Sequence, residues 1–278
     1  MQFAALAKVN LTLDVVGKRL DGYHLLEGIY HAVNLYDTIQ IEKSVEVSVE
    51  SSIALPENNS VIRAVNEYKK RTGCGGAAVK VTKRIPSEAG LGGASADAAA
   101  VLRGMHRLYG ILSHSELFDA ALSVGADVPF CLAGGTALVG GIGEILTPLP
   151  HNRYHFLIVM DGPGISTKEL FSKLVLPLRH PDNGAAVQSI RENDATALGK
   201  RMFNSLEAPA ILINPKILEI KQRMLARGAL GSSMTGSGSA VIGLFEDRKK
   251  AQAAAETFHD CAFVSVTESS YPTDVIYI

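Results

Sequence analysis

Alternating apolar and polar positions, and short unbroken apolar runs, predict β-strands in several parts of the chain. Residues 37–49 and 77–86 alternate over much of their length, whereas residues 3–16 are apolar except at positions such as Lys8 and Asn10. Shorter apolar runs predict further strands over 135–141, 155–160, 239–245 and 262–267.

Apolar residues that recur at helical spacing predict the helices. In residues 60–72 they form one face, and Ser60 is the expected N-cap. A glycine-rich loop precedes an alanine-rich helix over 94–109, and Ser113 with Glu116 forms a capping box for a helix that ends near Gly125. Further helices are predicted over 214–227 and 247–258, and a loop or short helix over 178–195.

The order of these elements favours an α+β fold, because strands and helices mix without a strict βαβ repeat. A length of 278 residues allows one large domain or two modest ones. Prolines and polar residues cluster over 147–155, which indicates a boundary there. We therefore expect two domains, residues 1–150 and 151–278.

Composition narrows the classes of partner. The formal net charge of −1 gives no overall field that would attract nucleic acid or an anionic membrane, so any anion must be held by local groups. The three cysteines are far apart and form no CxxC pair, which argues against a disulfide framework or a zinc site. No apolar stretch approaches a membrane span and the first residues lack a signal peptide, so we expect a cytoplasmic protein.

The most distinctive stretch is PSEAGLGGASADAAA, which begins at Pro86 and runs into the alanine-rich helix. Backbone N–H groups at a helix start lack partners within the helix and attract anions, and glycines let a phosphate approach them. A tight turn with no ligand is the alternative. The loop is not a P-loop, because Gly93 is followed by Ala94 and Ser95, and it contains no G-x-G-x-x-G.

The remaining pattern, P-x-x-x-G-L-G-G-x-S, resembles the nucleotide loop of the GHMP kinase superfamily. Two more of its elements occur in the expected order, the lysine strand at 7–15 and a second glycine loop at 234–245. Residues 7–25 and 125–144, which include DGYH and GADVPF, resemble the 4-diphosphocytidyl-2-C-methyl-D-erythritol kinase family.

This resemblance implies a fold of two α+β domains, the first like ribosomal protein S5 domain 2 and the second ferredoxin-like, with the active site between them. It implies ATP-dependent phosphorylation, with Mg²⁺, of the 2-hydroxyl of a cytidine diphosphate-bearing substrate in the non-mevalonate isoprenoid pathway. A monomer or homodimer is expected. Another small-molecule GHMP kinase, of mevalonate or homoserine type, and a non-catalytic nucleotide-binding module remain open.

The expected catalytic pair is Lys8 and Asp127. Each is a charged residue in an apolar segment, where an unpaired charge would be costly, and each would relieve the other's burial. A lysine beside a carboxylate keeps that carboxylate ionised, so that it can accept a proton from an alcohol. The alternative is that both side chains face solvent. The resemblance implies that Asp127 is the base and Lys8 its partner.

Further site residues follow from the resemblance. Those expected to contact the substrate are Asn10, Tyr23, His24, Tyr30, Thr167 and Phe171. In the family, the counterpart of Tyr23 stacks on cytosine and that of His24 hydrogen-bonds to the base. Core packing of Tyr30 and Phe171 remains open, as does an outward orientation of Asn10.

Nucleotide contacts are expected from the first glycine loop and two flanking residues. The set comprises Asn59, Lys83, Pro86, Gly90, Leu91, Gly92, Gly93, Ala94, Ser95 and Ala96. Ser95 is also the expected protein ligand of Mg²⁺, which usually keeps several waters. The family usually has glycine where this chain has Ala94 and serine where it has Ala96, so one hydroxyl contact is absent. Simple helix capping by Asn59, and a plain turn at the second glycine loop, remain alternatives.

Overall fold

The computed structural model describes residues 1–22, 24–174 and 183–271, and these form two sheets covered by helices. The strands are β1 Gln2–Lys18, β2 His24–Ser44, β3 Ser48–Ser51, β4 Gly76–Thr82, β5 Thr136–Gly140, β6 Ile145–Leu149, β7 His155–Met160, β8 Phe203–Asn204, β9 Gly231–Met234, β10 Val241–Phe245 and β11 Phe263–Glu268. The helices are α1 Ser60–Thr72, α2 Gly93–Tyr109, α3 His114–Val124, α4 Val128–Ala133, α5 Thr167–Ser172, α6 Asn183–Arg191, α7 Ala195–Gly199, α8 Glu207–Ile213, α9 Lys216–Ala226 and α10 Arg248–Ala255.

The first sheet has seven strands and is built around the long antiparallel hairpin of β1 and β2. Its order is β3-β4-β2-β1-β8, and β5 pairs with both β2 and β6. Register shifts interrupt the β1–β2 pairing on both sides of the short segment from Lys8 to Asn10. Such irregularities re-aim side chains locally, and these two bracket the polar residues predicted for the site.

Helix α2 lies at the centre of the first domain and contacts β1, β2, α1 and α4. Its residues from Ala96 to Met105 are all buried. Small side chains allow this close packing: a Cβ placed on Gly104 would lie 2.7 Å from the Cγ2 of Ile41 in β2. The helix is therefore held on several sides, and its first turn has a fixed position.

The second sheet is antiparallel with the order β11-β7-β10-β9, and α9 and α10 pack on it. The two sheets are joined at several places. Strand β8, at the edge of the first sheet beside β1, also contacts β9 of the second sheet. The backbone N–H groups of Ser239 and Ala240, which follow β9, donate to the carbonyls of Glu88 and Ala89. The second glycine loop, which follows β9, is thus attached to the first.

The observed elements include most of the predicted ones, and one cap was assigned wrongly. Helix α1 has the predicted bounds, but its N-cap is Asn59, whose Oδ1 accepts from the N–H groups of Val61 and Ile62 at 3.0 and 3.1 Å. The expected cap, Ser60, instead donates its hydroxyl to the carbonyl of Ala94, 2.6 Å away. Strand β2 also begins thirteen residues earlier than predicted, because it pairs with β1 and β5 along its first half.

Candidate active site

Lys8 and Asp127 meet between the two glycine loops. The Lys8 Nζ lies 3.8 Å from the Asp127 Oδ2, and it donates to the Oδ1 of Asn10 at 2.7 Å and to the carbonyl of Gly90 at 3.0 Å. The Lys8 side chain is 3% exposed, whereas that of Asp127 is 29% exposed. The ammonium is therefore enclosed and fully engaged, while the carboxylate keeps one side open.

Asn10 links strand β1 to the second glycine loop. Besides the Lys8 ammonium, its Oδ1 accepts the N–H of Gly236 at 2.8 Å, and its own N–H donates to the Thr235 Oγ1 at 3.0 Å. The Asn10 Nδ2 is buried and has no hydrogen-bond partner among the described residues. The side chain is thus turned inward beside Lys8, and its Nδ2 is left without a hydrogen-bond partner.

The two glycine loops touch at Gly90. This residue has φ +72°, and a Cβ placed on it would lie 1.9 Å from the carbonyl oxygen of Thr235. Only glycine fits there without moving the second loop. The backbone N–H of Lys8 also donates to the Leu91 carbonyl at 3.0 Å, which fixes the first loop to β1.

The start of α2 has the geometry expected of an anion site. Gly92 is its N-cap in a left-handed conformation with φ +71°, and no side chain caps the first turn. The backbone N–H groups of Gly93, Ala94 and Ser95, the first three residues of the helix, therefore have no partner within it and are left for an external acceptor. Ala96 is buried, and its N–H bonds to the carbonyl of Gly92 at 2.8 Å.

Asp127 occupies the N-cap position of the short helix α4 without capping it. At the other end of α4, the buried guanidinium of Arg103 donates to the carbonyls of Cys131 and Leu132, both at 3.1 Å. Arg103 thereby satisfies carbonyl groups at the end of α4 and fixes the helix that presents Asp127. Burial, with Asp127 nearby, raises the pKa of the Cys131 thiol to about 12.

Three of the predicted substrate residues, His24, Thr167 and Phe171, lie at or near helix α5. His24 stacks on Phe171 of α5 with ring centroids 4.6 Å apart, and burial followed by the nearby Lys18 lowers its pKa. Thr167, at the start of α5, hydrogen-bonds to Ser237 of the second loop at 2.8 Å.

Tyr30 belongs to the core, since it is 2% exposed and its ring lies 5.1 Å from the Lys8 ammonium. Burial raises its pKa well above the usual value, so the phenol stays neutral. Tyr23 lies outside the described residues.

Lys83 lies beneath the first glycine loop, between two carboxylates. Its Nζ is 2.6 Å from the Asp97 Oδ2 and also binds the Asp37 Oδ2. Burial alone would lower the pKa of Lys83, but Asp97 and Asp37 outweigh it and raise that pKa. Burial, together with the neighbouring Asp37, raises the pKa of Asp97 to about 7 despite Lys83.

Asn59 lines a groove of about 300 Å³ close to the first loop. The groove is also lined by apolar side chains of β3, of the segment before α1 and of α1 itself, namely Val49, Ile53, Leu55, Pro56 and Ile62. The groove is open and has both apolar and polar surface, which gives an aromatic heterocycle a packing surface as well as hydrogen-bond partners. Pro86 is half-buried at the start of the loop that leads to α2.

Sequence reasoning missed Asp37, Asp97 and Arg103. Asp97 directly follows Ala96, the last residue of the predicted phosphate loop. This position was the only feature of the sequence that indicated a role for Asp97. Asp37 and Arg103 have ordinary local surroundings in the sequence, and only the tertiary structure shows their partners.

The described residues contain no group of three or more histidine, cysteine or acidic side chains that could hold a metal ion. A Mg²⁺ ion carried by phosphates keeps several waters and needs few protein ligands, so it does not require such a group. Among the helices that the structure describes, none is long and apolar enough to cross a membrane.

Comparison with known proteins gives matches to both halves of the chain. The GHMP kinases N terminal domain matches residues 59–135, and the GHMP kinases C terminal domain matches residues 186–263. The 4-diphosphocytidyl-2-C-methyl-D-erythritol kinase of Carboxydothermus hydrogenoformans is 41% identical, over 91% of this chain and 91% of that protein.

Solved structures show the same relationship. A crystal structure of 4-(cytidine 5'-diphospho)-2C-methyl-D-erythritol kinase matches with a TM-score of 0.84 and 33% identity, over 98% of this chain and all of that one. Homoserine kinase from Cytophaga hutchinsonii matches with a TM-score of 0.78 at 23% identity, over 98% of this chain and 94% of that one, and shows the fold alone.

The predicted two-domain α+β fold is thereby confirmed. With this fold, and with identity above 40% across nine-tenths of its length, the chain belongs to the GHMP kinase superfamily and, within it, to the 4-diphosphocytidyl-2-C-methyl-D-erythritol kinase family.

Proposed function

We propose that this protein transfers the γ-phosphoryl group of ATP to the 2-hydroxyl of 4-diphosphocytidyl-2-C-methyl-D-erythritol, a step of the non-mevalonate route to isoprenoid precursors. The observation that carries this proposal is the Lys8–Asp127 pair beside the carbonyl of Gly90, at the glycine loop of a chain closely related to kinases of that name.

Asp127 is the proposed general base. Its carboxylate is partly exposed, while the enclosed ammonium of Lys8 lies 3.8 Å from its Oδ2. As the hydroxyl oxygen bonds to the γ-phosphorus, the bond from that phosphorus to the β,γ-bridging oxygen breaks and ADP leaves. The hydroxyl proton passes to Asp127, and the Lys8 ammonium stabilises the charge that develops on the attacking oxygen. The hydroxyl is on a tertiary carbon, so crowding makes its alignment with the γ-phosphate especially important.

The first glycine loop is the proposed phosphate site. The uncapped N–H groups of Gly93, Ala94 and Ser95 face an external acceptor at the positive end of the α2 dipole. When bound with ATP, Mg²⁺ neutralises phosphate charge, and the Ser95 hydroxyl is its proposed protein ligand. Adenine is proposed to occupy the groove beside Asn59.

The cytidine end of the substrate is proposed to bind at the stacked pair of His24 and Phe171, with Tyr23 as a further aromatic partner. Asn10, whose Nδ2 has no hydrogen-bond partner beside Lys8, and Thr167, whose hydroxyl bonds to Ser237 of the second loop, are proposed as further substrate contacts. Tyr30 is proposed to stabilise the Lys8 ammonium through the cation–π contact between its ring and the Nζ.

We also propose that the two domains divide near residue 150, as 1–150 and 151–278, with β8 returning to the sheet of the first domain. The enzyme is proposed to act in the cytoplasm as a monomer or homodimer, with no contact to nucleic acid.

The test is ATP turnover with a panel of acceptors. The purified protein is incubated with ATP, Mg²⁺ and one of three alcohols: the cytidine diphosphate substrate, mevalonate or homoserine. The proposal predicts phosphorylation of the first alone, identified by mass spectrometry. Phosphorylation of only mevalonate or homoserine would assign the chain to another GHMP activity, and the absence of any transfer would leave a nucleotide-binding module.

A further inference from the structure

Three buried charged side chains, Asp37, Lys83 and Asp97, lie under the first glycine loop, and the chemistry proposed above uses none of them. Their side chains are exposed to 0%, 9% and 3%. They come from different elements, since Asp37 is in β2, Lys83 follows β4 and Asp97 is in α2. The Lys83 ammonium therefore ties the phosphate-binding helix to the central sheet.

Asp37 extends this connection to the backbone that enters the glycine loop. While its Oδ2 binds Lys83, its Oδ1 accepts the N–H groups of Arg84 and Ile85, at 2.5 and 2.8 Å. One carboxylate thus fixes both the ammonium and the two residues that precede Pro86. These charge-assisted hydrogen bonds are the stronger kind, and they are shielded from solvent.

The first turn of α2 rests directly on this cluster. A Cβ placed on Gly93 would lie 3.5 Å from the Lys83 Nζ and 3.0 Å from the Cγ2 of Ile85. Gly93 starts the turn whose N–H groups are left uncapped. A change in the cluster would therefore move the groups that are proposed to bind phosphate.

The hydrogen bonds of Lys83 go to protein carboxylates, and its side chain is nearly closed to solvent. A lysine that contacts a triphosphate directly would have its ammonium free at the surface of the loop. Here the two carboxylates occupy it, so its effect on a nucleotide passes through the backbone that it holds.

We propose that Asp37, Lys83 and Asp97 form a positioning cluster that sets the first turn of α2 for the phosphates of ATP, and that Lys83 acts on the nucleotide through this turn. The inference rests on the proposed function only in placing ATP phosphates at this loop.

The test compares nucleotide affinity with catalysis in two sets of variants. Lys83→Met removes the ammonium, and Lys83→Arg restores a cation. Asp97→Ala removes the helix tether, and Asp97→Asn restores an acceptor. The control is Lys80→Met, which removes an exposed lysine from β4 of the same sheet. Thermal unfolding of each variant verifies that it is folded.

Calorimetric titration with MgATP gives the Kd, and steady-state assays give the KM of the cytidine substrate. We expect Lys83→Met and Asp97→Ala to raise the Kd for MgATP about tenfold, while the KM of the cytidine substrate changes less than about twofold. The Arg and Asn variants restore most of the affinity, and Lys80→Met leaves both values unchanged.

An unchanged Kd in folded Asp97→Ala, or an equal rise in both constants, would overturn the proposal. If Lys83→Met does not fold, the Asp97 pair gives the same decision. The Kd for MgATP is measured without turnover, so an unchanged Kd overturns the proposal whether or not the wild-type protein phosphorylates the cytidine substrate. Only the comparison with the KM requires that activity.

Discussion

At the scale of single residues, the two neighbouring charged groups of the candidate site, Lys8 and Asp127, differ in how far they are exposed to solvent. Lys8 is almost fully buried and bound on several sides, whereas the Asp127 side chain is partly exposed. A base must reach its substrate, while the group that keeps it ionised need not. The division between the two residues meets both requirements.

Phe171→Ala tests the proposed cytidine site at this scale. Loss of the ring that stacks on His24 should raise the KM of the cytidine substrate about tenfold, since stacking on a base contributes about 1–3 kcal/mol. The KM of ATP should stay the same, and Phe171→Tyr should retain most of the affinity. Equal KM values for the cytidine substrate in wild type and Phe171→Ala would remove Phe171 from the site.

At the scale of elements, the proposed ligand site is built from two glycine loops and the starts of two helices. Helix α2 begins without a side-chain cap, whereas α1 is capped by Asn59. The uncapped start is left for an anion, and the capped one is satisfied by the protein itself. The contact of Gly90 with Thr235 then brings the second loop against the first.

Gly90→Ala tests that contact, with Gly73→Ala as its matched control. Both glycines have positive φ, +72° and +68°, but a Cβ on Gly73 meets no atom within 4 Å. Gly73→Ala should cost only about 1 kcal/mol of folding stability and leave turnover intact. Gly90→Ala should also displace the loops and reduce kcat at least tenfold, as steady-state assays and thermal unfolding will show. Similar behaviour of the two variants would mean that the loop contact is dispensable.

Asn59 offers a second test, because its cap and its proposed nucleotide contact can be separated. Asn59→Ala should lower the stability by about 1 kcal/mol, and Asn59→Ser, which still caps, should not. If Asn59 also contacts adenine, both variants raise the KM of ATP. A normal KM in Asn59→Ser would limit this residue to its structural role.

At the scale of the whole molecule, the two sheets are joined through a group of neutral histidines. His31 of β2 hydrogen-bonds to Thr136 and, at 2.7 Å, to Ser269, which follows β11. His151 stacks on His31 and also bonds to Thr136. Burial lowers the pKa of His151 to about 4 and that of His31 well below its usual value.

The lowered pKa values of these two histidines predict that acid destabilises the folded protein. Their folded pKa values lie below the unfolded value of 6.5, so the unfolded chain binds more protons between pH 6.5 and about 4. Stability is fully present above pH 6.5 and is lost as the pH falls through this range. His151→Asn should remove about 1–2 kcal/mol of that loss, allowing for the partial exposure of His151. Thermal unfolding of the wild type and of His151→Asn from pH 7 to 4 measures this difference in stability loss. The exposed His259→Asn variant should follow the wild type, and a wild-type pH dependence in His151→Asn would refute the account.

The sequence predicted those parts of the site that have a local signature. The glycine loop is continuous in sequence, and Lys8 and Asp127 each interrupt an apolar segment, so each signals a missing partner. The cluster around Lys83 has no such signature, because Asp37 and Asp97 join it only when β2, β4 and α2 pack. Asn59 and Ser60 are both good caps and adjacent, so local preference did not decide between them.

The central claim is that Asp127 takes the proton from the substrate hydroxyl. Phosphoryl transfer at saturating ATP and cytidine substrate, compared between wild type and Asp127→Asn, tests it most directly, with Asp119→Asn as a control at an exposed carboxylate of α3. The account predicts that kcat falls about 10²–10⁴-fold in Asp127→Asn, with the affinities for both substrates nearly unchanged, and that Asp119→Asn behaves as wild type. A kcat in Asp127→Asn within about twofold of the wild-type value would contradict it.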